Sequence, residues 1–335
     1  MKNVILVGVD NSQKTVFGEI ESKLNKLSDM RCLLNDSINL VDLLKESSLA
    51  IIGMSCTKER SEMERKAICF AHEMKIPIIL HADTFGSISR PYFREYLDKA
   101  SLIFVITENE ALRTREITKA PILVTGSPLW ENYYHRALSR KKARAIMELN
   151  EDDKLILVPL GKAPFINWLH LAKVIKVINQ FHTTSNNPIT LAYHLHRDEK
   201  NQDPCRYHEA FDYLEAPPKI FKDFRFTRAC DLIIDSMHGE GIAGALHQIP
   251  VIEALTPFAL KCYQTATGLD QPEIVMLGAA IATQRSRDLQ KAVYKLLFSD
   301  QAILELQNNQ ARAFPKPPIP GIAVDLMVKA IKRML

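Results

Sequence analysis

Short apolar segments alternate with segments of helical period along the whole chain. The first apolar run, residues 4–9, precedes a stretch in which Val16, Ile20 and Leu24 share one helical face. Later apolar runs occur at residues 49–53, 77–80, 102–106 and 122–124. These runs are continuous rather than alternating, as expected of strands covered by helices on both faces. The pattern therefore predicts crossover units and a parallel α/β sheet.

The pattern begins again after a charged helical stretch at residues 130–150. Residues 154–161 repeat the apolar run and the glycine of the first strand, and a long amphipathic helix is predicted over 165–181. Further strands are predicted at 189–193, 211–214, 232–234 and 251–252, and helices at 286–298, 301–313 and 322–335. We therefore expect two Rossmann-like parallel-sheet domains, residues 1–148 and 149–335, facing a central cleft. The pattern leaves open whether the last helix crosses back to the first domain.

Charge and composition exclude some functions. The 335 residues carry a formal net charge of only +4, without a long basic stripe, which argues against nucleic acid as a partner. The densest basic runs, residues 140–144 and 329–333, are predicted to be solvated helix surface, and peripheral contact with an anionic membrane stays open. No apolar stretch is long enough to span a membrane.

The cysteines indicate a reducing environment. The six are widely spaced and none forms a C-x-x-C pair, so neither a zinc site nor a disulfide framework is predicted. The N-terminal apolar run is short and ends at an acid, which predicts a first strand rather than a signal peptide. We expect a cytoplasmic protein.

Ligands of open parallel sheets bind beyond the carboxyl ends of the strands, so the residues that follow each strand are the candidate site. In the first half these include Gly8 and Asp10 as binding residues and His81 and Asp83 as an acid/base pair, with Glu95 close behind. By contrast, turn and helix-cap roles are predicted for Asn11, Ser12 and Ser127, and a capping box for Ser61 with Glu64.

The second half contains a strand that runs into a glycine turn and a helix of small residues. The N-terminus of such a helix presents N–H groups and a positive dipole end to a phosphate. Here Ser236, Gly239 and Gly241 are expected to bind a diphosphate, His238 to neutralise its charge or donate a proton, and Glu240 to hold ribose hydroxyls. Binding roles are also assigned to Gly161 and Lys162, and a polar lining role, rather than a metal site, to His194 and His196.

The order of these motifs resembles the glycosyltransferase-B superfamily, which includes nucleotide-sugar glycosyltransferases and UDP-N-acetylglucosamine 2-epimerases. The similar segments are the turn at residues 125–128, the strand-turn-helix at 230–252, and the tail at 279–297. The resemblance implies a donor nucleotide in the second half and an acceptor in the first. Two epimerase carboxylates would correspond to Asp83 and Glu95, while the third has no counterpart and the ribose-binding glutamate falls near Ala243.

The resemblance implies a transferase that takes a sugar from a UDP-type nucleotide sugar to a carbohydrate or lipid acceptor, as in polysaccharide biosynthesis. It implies no permanently bound cofactor, and no metal site is predicted; a homodimer stays open. One motif, Met237–Gly239 with Ile249–Val251, is similar to polysaccharide pyruvyltransferases, except that their arginine is Ser236 here. The alternatives are therefore a pyruvyltransferase-like enzyme and a non-catalytic ligand-binding protein of the same fold.

Overall fold

The computed structural model describes residues 2–27, 30–35, 39–161, 164–182, 189–195, 219–221, 223–237 and 239–335. The chain divides into two units. Unit 1 consists of Met1–Glu131, Gln264–Asp270 and Pro318–Leu335, and unit 2 consists of Asn132–Tyr263 and Gln271–Pro317. None of the described helices combines the length and apolar character needed to cross a membrane.

Unit 1 contains a parallel sheet whose order is β2-β1-β3-β4-β5-β6. Its strands are β1 (Lys2–Val7), β2 (Met30–Asn35), β3 (Leu49–Gly53), β4 (Ile78–His81), β5 (Leu102–Val105) and β6 (Ile122–Val124). Its helices begin with α1 (Asn11–Leu24), α2 (Leu40–Lys45), α3 (Glu62–Glu73), the 3-10 helix Pro91–Lys99, α4 (Glu108–Ile117) and α5 (Pro128–His135), whose last residues belong to unit 2.

Side chains of β1 alternate between two buried faces of this sheet. Val4 and Leu6 pack with the apolar face of α1, whereas Ile5 and Val7 pack with α3 and the 3-10 helix. Each fully buried aliphatic side chain contributes about 1.5–3 kcal/mol of hydrophobic stabilisation. Burial on both faces explains why the strands appear in the sequence as unbroken apolar runs.

Unit 2 repeats this architecture with the order β12-β11-β10-β7-β8-β9. Its strands are β7 (Lys154–Pro159), β8 (Ile189–His194), β9 (Lys219–Ile220), β10 (Leu232–Asp235), β11 (Val251–Ala254) and β12 (Ile281–Thr283). Its helices are α6 (Arg140–Ile146), α7 (Pro164–His182), the 3-10 helix Phe224–Ala229, α8 (Gly239–Leu246), α9 (Pro257–Thr267), which ends in unit 1, α10 (Glu273–Met276), α11 (Ser286–Phe298) and α12 (Asp300–Ala313).

The small residues of α8 allow this helix to lie directly on the sheet of unit 2. A Cβ built on Gly244 would stand 2.6 Å from Ile233 Cδ1 and 3.1 Å from Val251 Cγ2. This close approach brings the backbone of α8 against β10 and β11. Gly244 therefore allows close packing of the helix on the sheet, because a larger residue would collide with both strands.

The last helix, α13 (Ile322–Met334), belongs to unit 1. Its Val324, Met327 and Ile331 are buried in the same cluster as the apolar face of α1. The carboxylate of Glu131 accepts hydrogen bonds from the N–H groups of Gly321 and Ala323, both at 2.7 Å. An acidic side chain at this position satisfies N–H groups that the helix leaves open and complements its dipole.

The local structure departs from the sequence pattern in part of the chain. The segment around Phe93 forms a 3-10 helix, and β12 and α9 were not predicted. The predicted strand 211–214 lies outside the described residues. The capping box predicted for Ser61 is wrong, because the Ser61 hydroxyl donates to Lys58 O while the Glu64 side chain accepts hydrogen bonds from Ser55.

Candidate functional site

A buried carboxylate, Glu64, lies at the carboxyl edge of the unit 1 sheet. Its Oε2 accepts from the Ser55 N–H, and its Oε1 accepts from the Ser55 hydroxyl, both at 2.7 Å. The Val9 N–H donates to Glu64 Oε1 at 3.3 Å and to Gln13 Oε1 at 3.1 Å. Burial raises the pKa of Glu64 to about 7, against the effect of these hydrogen bonds and with a smaller contribution from the charge of Asp10.

Gly53 and Gly8 make room for this network. A Cβ on Gly53 would stand 2.4 Å from Gln13 Cδ, and one on Gly8 would stand 2.8 Å from the Phe17 ring. Gly8 also lines a cavity of about 650 Å³ together with the basic side chains of Lys14, Arg60 and Lys66. Gly8 therefore has a packing role and also borders space that a ligand can enter.

Asp10, which follows β1, is ionised and held from two sides. Its Oδ2 accepts from the Cys56 N–H at 2.8 Å, and its Oδ1 accepts from Arg60 Nη1 at 2.9 Å. Burial acts to raise the pKa of Asp10, but the hydrogen bonds from Cys56 and Arg60 outweigh burial and lower it. Asp10 also serves as the N-cap residue of α1, which is a structural role, and its binding role stays a prediction.

Asp83 lies two residues beyond β4 and has one short hydrogen bond. The Ser12 hydroxyl donates to its Oδ2 at 2.5 Å, so Ser12 orients a carboxylate instead of serving as a turn residue. Burial raises the pKa of Asp83, while the Ser12 hydrogen bond and the charge of Arg90 act in the opposite direction. Arg90 is itself held by Met54 O and by Thr84 Oγ1.

His81 and Glu95 are placed differently from Asp83. His81 is 2% exposed, its ring lies 5.6 Å from the Phe17 ring, and its Nδ1 has no hydrogen-bond partner among the described residues. Burial lowers the pKa of His81 to about 4, so the imidazole is neutral at physiological pH. Glu95 is exposed on its 3-10 helix. Of the three predicted catalytic residues of unit 1, Asp83 is a buried carboxylate that accepts a hydrogen bond from a hydroxyl group.

The protonation of Glu64 should make the stability of the protein depend on pH. The folded state retains a proton between the unfolded pKa of about 4.5 and the folded pKa of about 7, so stability falls as pH rises through this range. For Glu64→Gln this component is absent, and stability relative to the wild type should rise by about 3 kcal/mol between pH 4.5 and pH 8. Urea unfolding at a series of pH values measures the difference.

Glu62→Gln is the matched control on the same helix. Glu62 is exposed and bonded to Lys66, and its pKa is lowered. The difference in free energy of unfolding between Glu62→Gln and the wild type should therefore stay constant between pH 5 and pH 8. If the free energy of unfolding of Glu64→Gln relative to the wild type is equally constant, Glu64 is ionised throughout this range.

In unit 2, two buried carboxylates meet where β10 and β11 end. Asp235 and Glu253 are register partners on these neighbouring parallel strands. Asp235 accepts from the Ser236 N–H at 2.7 Å and from the Gly241 N–H at 3.0 Å, and Glu253 accepts from the Met237 N–H at 3.0 Å. Burial and the neighbouring Asp235 raise the pKa of Glu253, so this pair holds a proton.

These contacts change the roles predicted for the glycine turn. The N–H groups of Ser236 and Gly241 already donate to Asp235, so they do not serve a diphosphate in this conformation. The Gly161 N–H is likewise engaged, because it donates to Asn167 Oδ1 while Asn167 Nδ2 donates to Gly161 O, both at 2.7 Å. The predicted binding residues His238 and Lys162 lie outside the described residues.

Glu240 and His194 form a hydrogen-bonded pair at the carboxyl edge of this sheet. His194 Nδ1 and Glu240 Oε1 are 2.7 Å apart, and both side chains are slightly less than one fifth exposed. Glu240 is the second residue of α8, and His194 is the last residue of β8. A side chain added at Gly239 would meet the Tyr133 hydroxyl at 3.0 Å, and burial with the charge of Glu240 raises the pKa of Tyr133. We refer to Tyr133, His194, Gly239 and Glu240 as the α8 site.

A carboxylate beside one imidazole nitrogen fixes the tautomer of the ring and stabilises its protonated form. The other nitrogen, Nε2, can then carry a proton toward a ligand. Glu240 was predicted to hold ribose hydroxyls, but it contacts His194 instead. No group of three or more His, Cys, Asp or Glu side chains in the described part of the chain is placed to hold a metal ion.

Sequence reasoning undervalued Ser12, Glu64 and His194. Ser12 and Glu64 occupy positions where helix-cap residues are common, so a capping role accounted for both residue types. Their contacts with residues distant in the chain are visible only in the structure. His194 carried a usable signal, since it ends a strand whose following residues lie at the edge where ligands bind. Its pairing with Glu240, 46 residues away in the chain, could not be inferred from either position alone.

No family model matches the chain, and no curated protein is similar to it in sequence. Its fold is nevertheless shared with solved structures over nearly its entire length. The Neisseria meningitidis UDP-GlcNAc 2-epimerase bound to UDP-GlcNAc is 12% identical, with 99% of this chain and 100% of that chain covered and a TM-score of 0.67. S. aureus MnaA, in a co-structure with UDP, is 13% identical, with 99% and 96% covered and a TM-score of 0.69.

Anabaena HepE, in complex with UDP, is 13% identical, with 100% of both chains covered and a TM-score of 0.61. These similarities confirm the predicted fold class. The chain has the glycosyltransferase-B fold, with two Rossmann-like units that are each built on a parallel sheet. At this level of identity the similarity concerns the fold.

Proposed function

We propose that the chain binds a UDP-type nucleotide sugar at the α8 site and transfers the sugar to a hydroxyl group of a carbohydrate or lipid acceptor. The observation that carries the proposal is the His194–Glu240 pair, 2.7 Å apart, at the strand end where ligands of parallel sheets bind. Solved structures of the same fold that hold UDP or UDP-GlcNAc support the choice of donor class.

The α8 site offers a diphosphate two kinds of favourable contact. The N-terminal turn of α8, at Gly239 and Glu240, has the positive end of a helix dipole. When its ring is protonated, His194 donates from Nδ1 to Glu240 and can donate from Nε2 to a phosphate oxygen. Asp235 and Glu253 engage the N–H groups of the preceding turn, so we assign the diphosphate to α8 and His194 rather than to Ser236 and Gly241.

Transfer then requires one bond to break and one to form. The bond between the anomeric carbon and the diphosphate oxygen breaks, and its electron pair leaves with the diphosphate. The acceptor hydroxyl oxygen bonds to the anomeric carbon and loses its proton to a base. His194 stabilises the departing diphosphate by a hydrogen bond or by proton donation, a role that contributes a rate factor of about 10²–10⁴ in general acid catalysis.

Within unit 1, Asp83 is the carboxylate that we propose takes up a proton from a bound hydroxyl group. Its carboxylate is oriented by Ser12, and burial raises its pKa, which favours proton uptake. Glu64 is fully enclosed by its hydrogen bonds, and Asp10 is engaged by Arg60. No resident cofactor is needed for this reaction.

The proposal predicts that UDP binds and that binding depends on His194. Isothermal titration with UDP, GDP, CMP and ADP should show the tightest binding for UDP. His194→Ala should weaken UDP binding at least about tenfold, because it removes a charge-assisted hydrogen bond to phosphate. Glu240→Gln should weaken binding by a smaller factor, since the amide still contacts the ring without stabilising its charge.

His72→Gln is the control, because His72 is exposed on α3 in unit 1. It should bind UDP as the wild type does. Absence of binding for all four nucleotides at millimolar concentration would contradict the nucleotide-sugar proposal and favour the non-catalytic alternative. Phosphate release from phosphoenolpyruvate in the presence of a sugar acceptor would instead favour the pyruvyltransferase alternative.

A further inference from the structure

A cavity of about 450 Å³ lies at the amino-terminal edge of the unit 2 sheet. Its lining includes Lys154, which begins β7, Asp231, which precedes β10, and Pro250, which precedes β11. These strands are parallel, so their amino ends share one edge of the sheet. The α8 site lies at the opposite edge, so the two are distinct.

The side chains lining this cavity are predominantly cationic. The charged members are four cations and one carboxylate: Arg140, Lys154, Arg228, Lys316 and Asp231. The negative charge of Asp231 is already balanced by two arginines, because Arg140 lies 2.7 Å and Arg144 3.3 Å from its carboxylate. The lining has no further carboxylate to match Lys154, Arg228 and Lys316, so the cavity has a positive potential.

Arg228 is oriented by neutral groups. Its Nε donates to His247 Nδ1 at 3.2 Å, and its Cζ lies 5.6 Å from the centre of the Tyr134 ring. His247 Nε2 is 3.1 Å from Tyr133 O, and its ring stacks on Tyr134. Burial, with the charges of Arg228 and Lys316, lowers the pKa of His247 to about 4, so the imidazole is neutral and accepts the Arg228 hydrogen bond. The guanidinium is therefore positioned without losing its charge.

The rest of the lining is largely apolar. It includes Leu246, Ile249, Pro250, Leu296, Leu297 and Ile303. A ligand that fits must combine an anionic group with an apolar body. Free phosphate would satisfy the cations but leave the apolar wall in contact with water.

We propose that this cavity is a second binding site and that its ligand is a small organic phosphate. The phosphate dianion is placed against Arg228, Lys154 and Lys316, which match its charge and its hydrogen-bond acceptors. The organic part lies on the apolar wall. This site goes beyond the proposed donor binding, and α8 connects the two, since Gly239 begins the helix at one site and Leu246 ends it at the other.

Calorimetric titration of the full chain with inorganic phosphate, phenyl phosphate and butyl phosphate tests this proposal. At least one of the two organic phosphates should bind about tenfold or more tightly than inorganic phosphate. The preferred one shows whether the apolar wall accepts a planar or an aliphatic body. Equal affinity for all three ligands, or no binding by either organic phosphate at millimolar concentration, would overturn the proposal.

Lys316→Glu provides the test of location. Lys316 is exposed on an extended connector, so its replacement should not disturb folding. The charge reversal should weaken binding of the organic phosphate at least about tenfold. Lys291→Glu, at an exposed position of α11 outside the cavity lining, is the matched control and should have no effect. Equal effects of the two substitutions would rule out this cavity.

His194→Ala separates this proposal from the proposed function. It should weaken UDP binding at least about tenfold while leaving the affinity for the organic phosphate unchanged. If UDP does not bind but the organic phosphate does, the nucleotide-sugar proposal fails alone. If His194→Ala removes binding of the organic phosphate, the phosphate binds at the α8 site and the second site is wrong.

Discussion

Replacement of Arg144 by methionine should lower the free energy of unfolding by about 3–5 kcal/mol, the range found when one partner of a buried ion pair is removed. Arg144 is 3% exposed, and its guanidinium donates to the Asp231 carboxylate and to the carbonyl oxygens of Ala229, Asn150 and Asp153. Methionine has similar length, so it fills the space but leaves these acceptors without a donor.

The neighbouring arginine on the same helix is the control. Arg140 also bonds to Asp231, at 2.7 Å, but its side chain is 45% exposed. Arg140→Met should therefore cost only about 1 kcal/mol, because water can reach the groups that lose their partner. Chemical denaturation of the two variants measures the contrast. Equal losses would mean that burial does not determine the contribution of these arginines.

Replacement of Gly241 by alanine should destabilise unit 2 by about 3–4 kcal/mol, above the usual range of about 1–3 kcal/mol for overpacking, because a buried hydrogen bond is also lost. The added Cβ would stand 2.3 Å from Asp235 Oδ2, which accepts the Gly241 N–H at 3.0 Å. Asp235 is fully buried and also bonds to the Ser236 N–H, so it has no free space into which to move. The substitution therefore breaks a hydrogen bond and leaves buried polar groups unsatisfied.

Gly18→Ala is the matched control, and its effect should have the opposite sign. Gly18 lies inside α1, and a Cβ there would meet nothing within 4 Å. Alanine is favoured over glycine in a helix interior by up to about 1 kcal/mol, so this variant should be more stable than the wild type. A Gly241→Ala variant that folds normally and loses only UDP affinity would restore the binding role first predicted for Gly241.

The two basic runs of the sequence show where local reasoning succeeded. Both were predicted to be solvated helix surface. Lys329, Lys332 and Arg333 are exposed on α13, as predicted. The prediction is wrong for the other run at Arg144, which is buried, because Asp231 and several backbone carbonyls lie within its reach. The acceptors come from distant segments, so the charge pattern of α6 could not indicate burial.

In the candidate site, too, the sequence indicated some residues but not their hydrogen-bond partners. Asp83, Glu240 and the α8 turn were predicted because they follow strands, and strand ends are visible in the sequence. The partners that define their chemistry, Ser12 and His194, were assigned minor roles. Each hydrogen bond joins residues 46 or 71 positions apart, so it depends on strand order and register.

The sequence by itself determined the two parallel-sheet units, because continuous apolar runs and helical periods depend only on local spacing and burial on two faces. The tertiary structure decided which polar groups meet. The register of β10 against β11 places Asp235 beside Glu253. Their carboxylates accept hydrogen bonds from N–H groups of the glycine turn, where the sequence predicted a bound diphosphate. Hydrogen bonds act over about 3 Å, whereas sequence patterns locate a side chain only to a face and an end of an element.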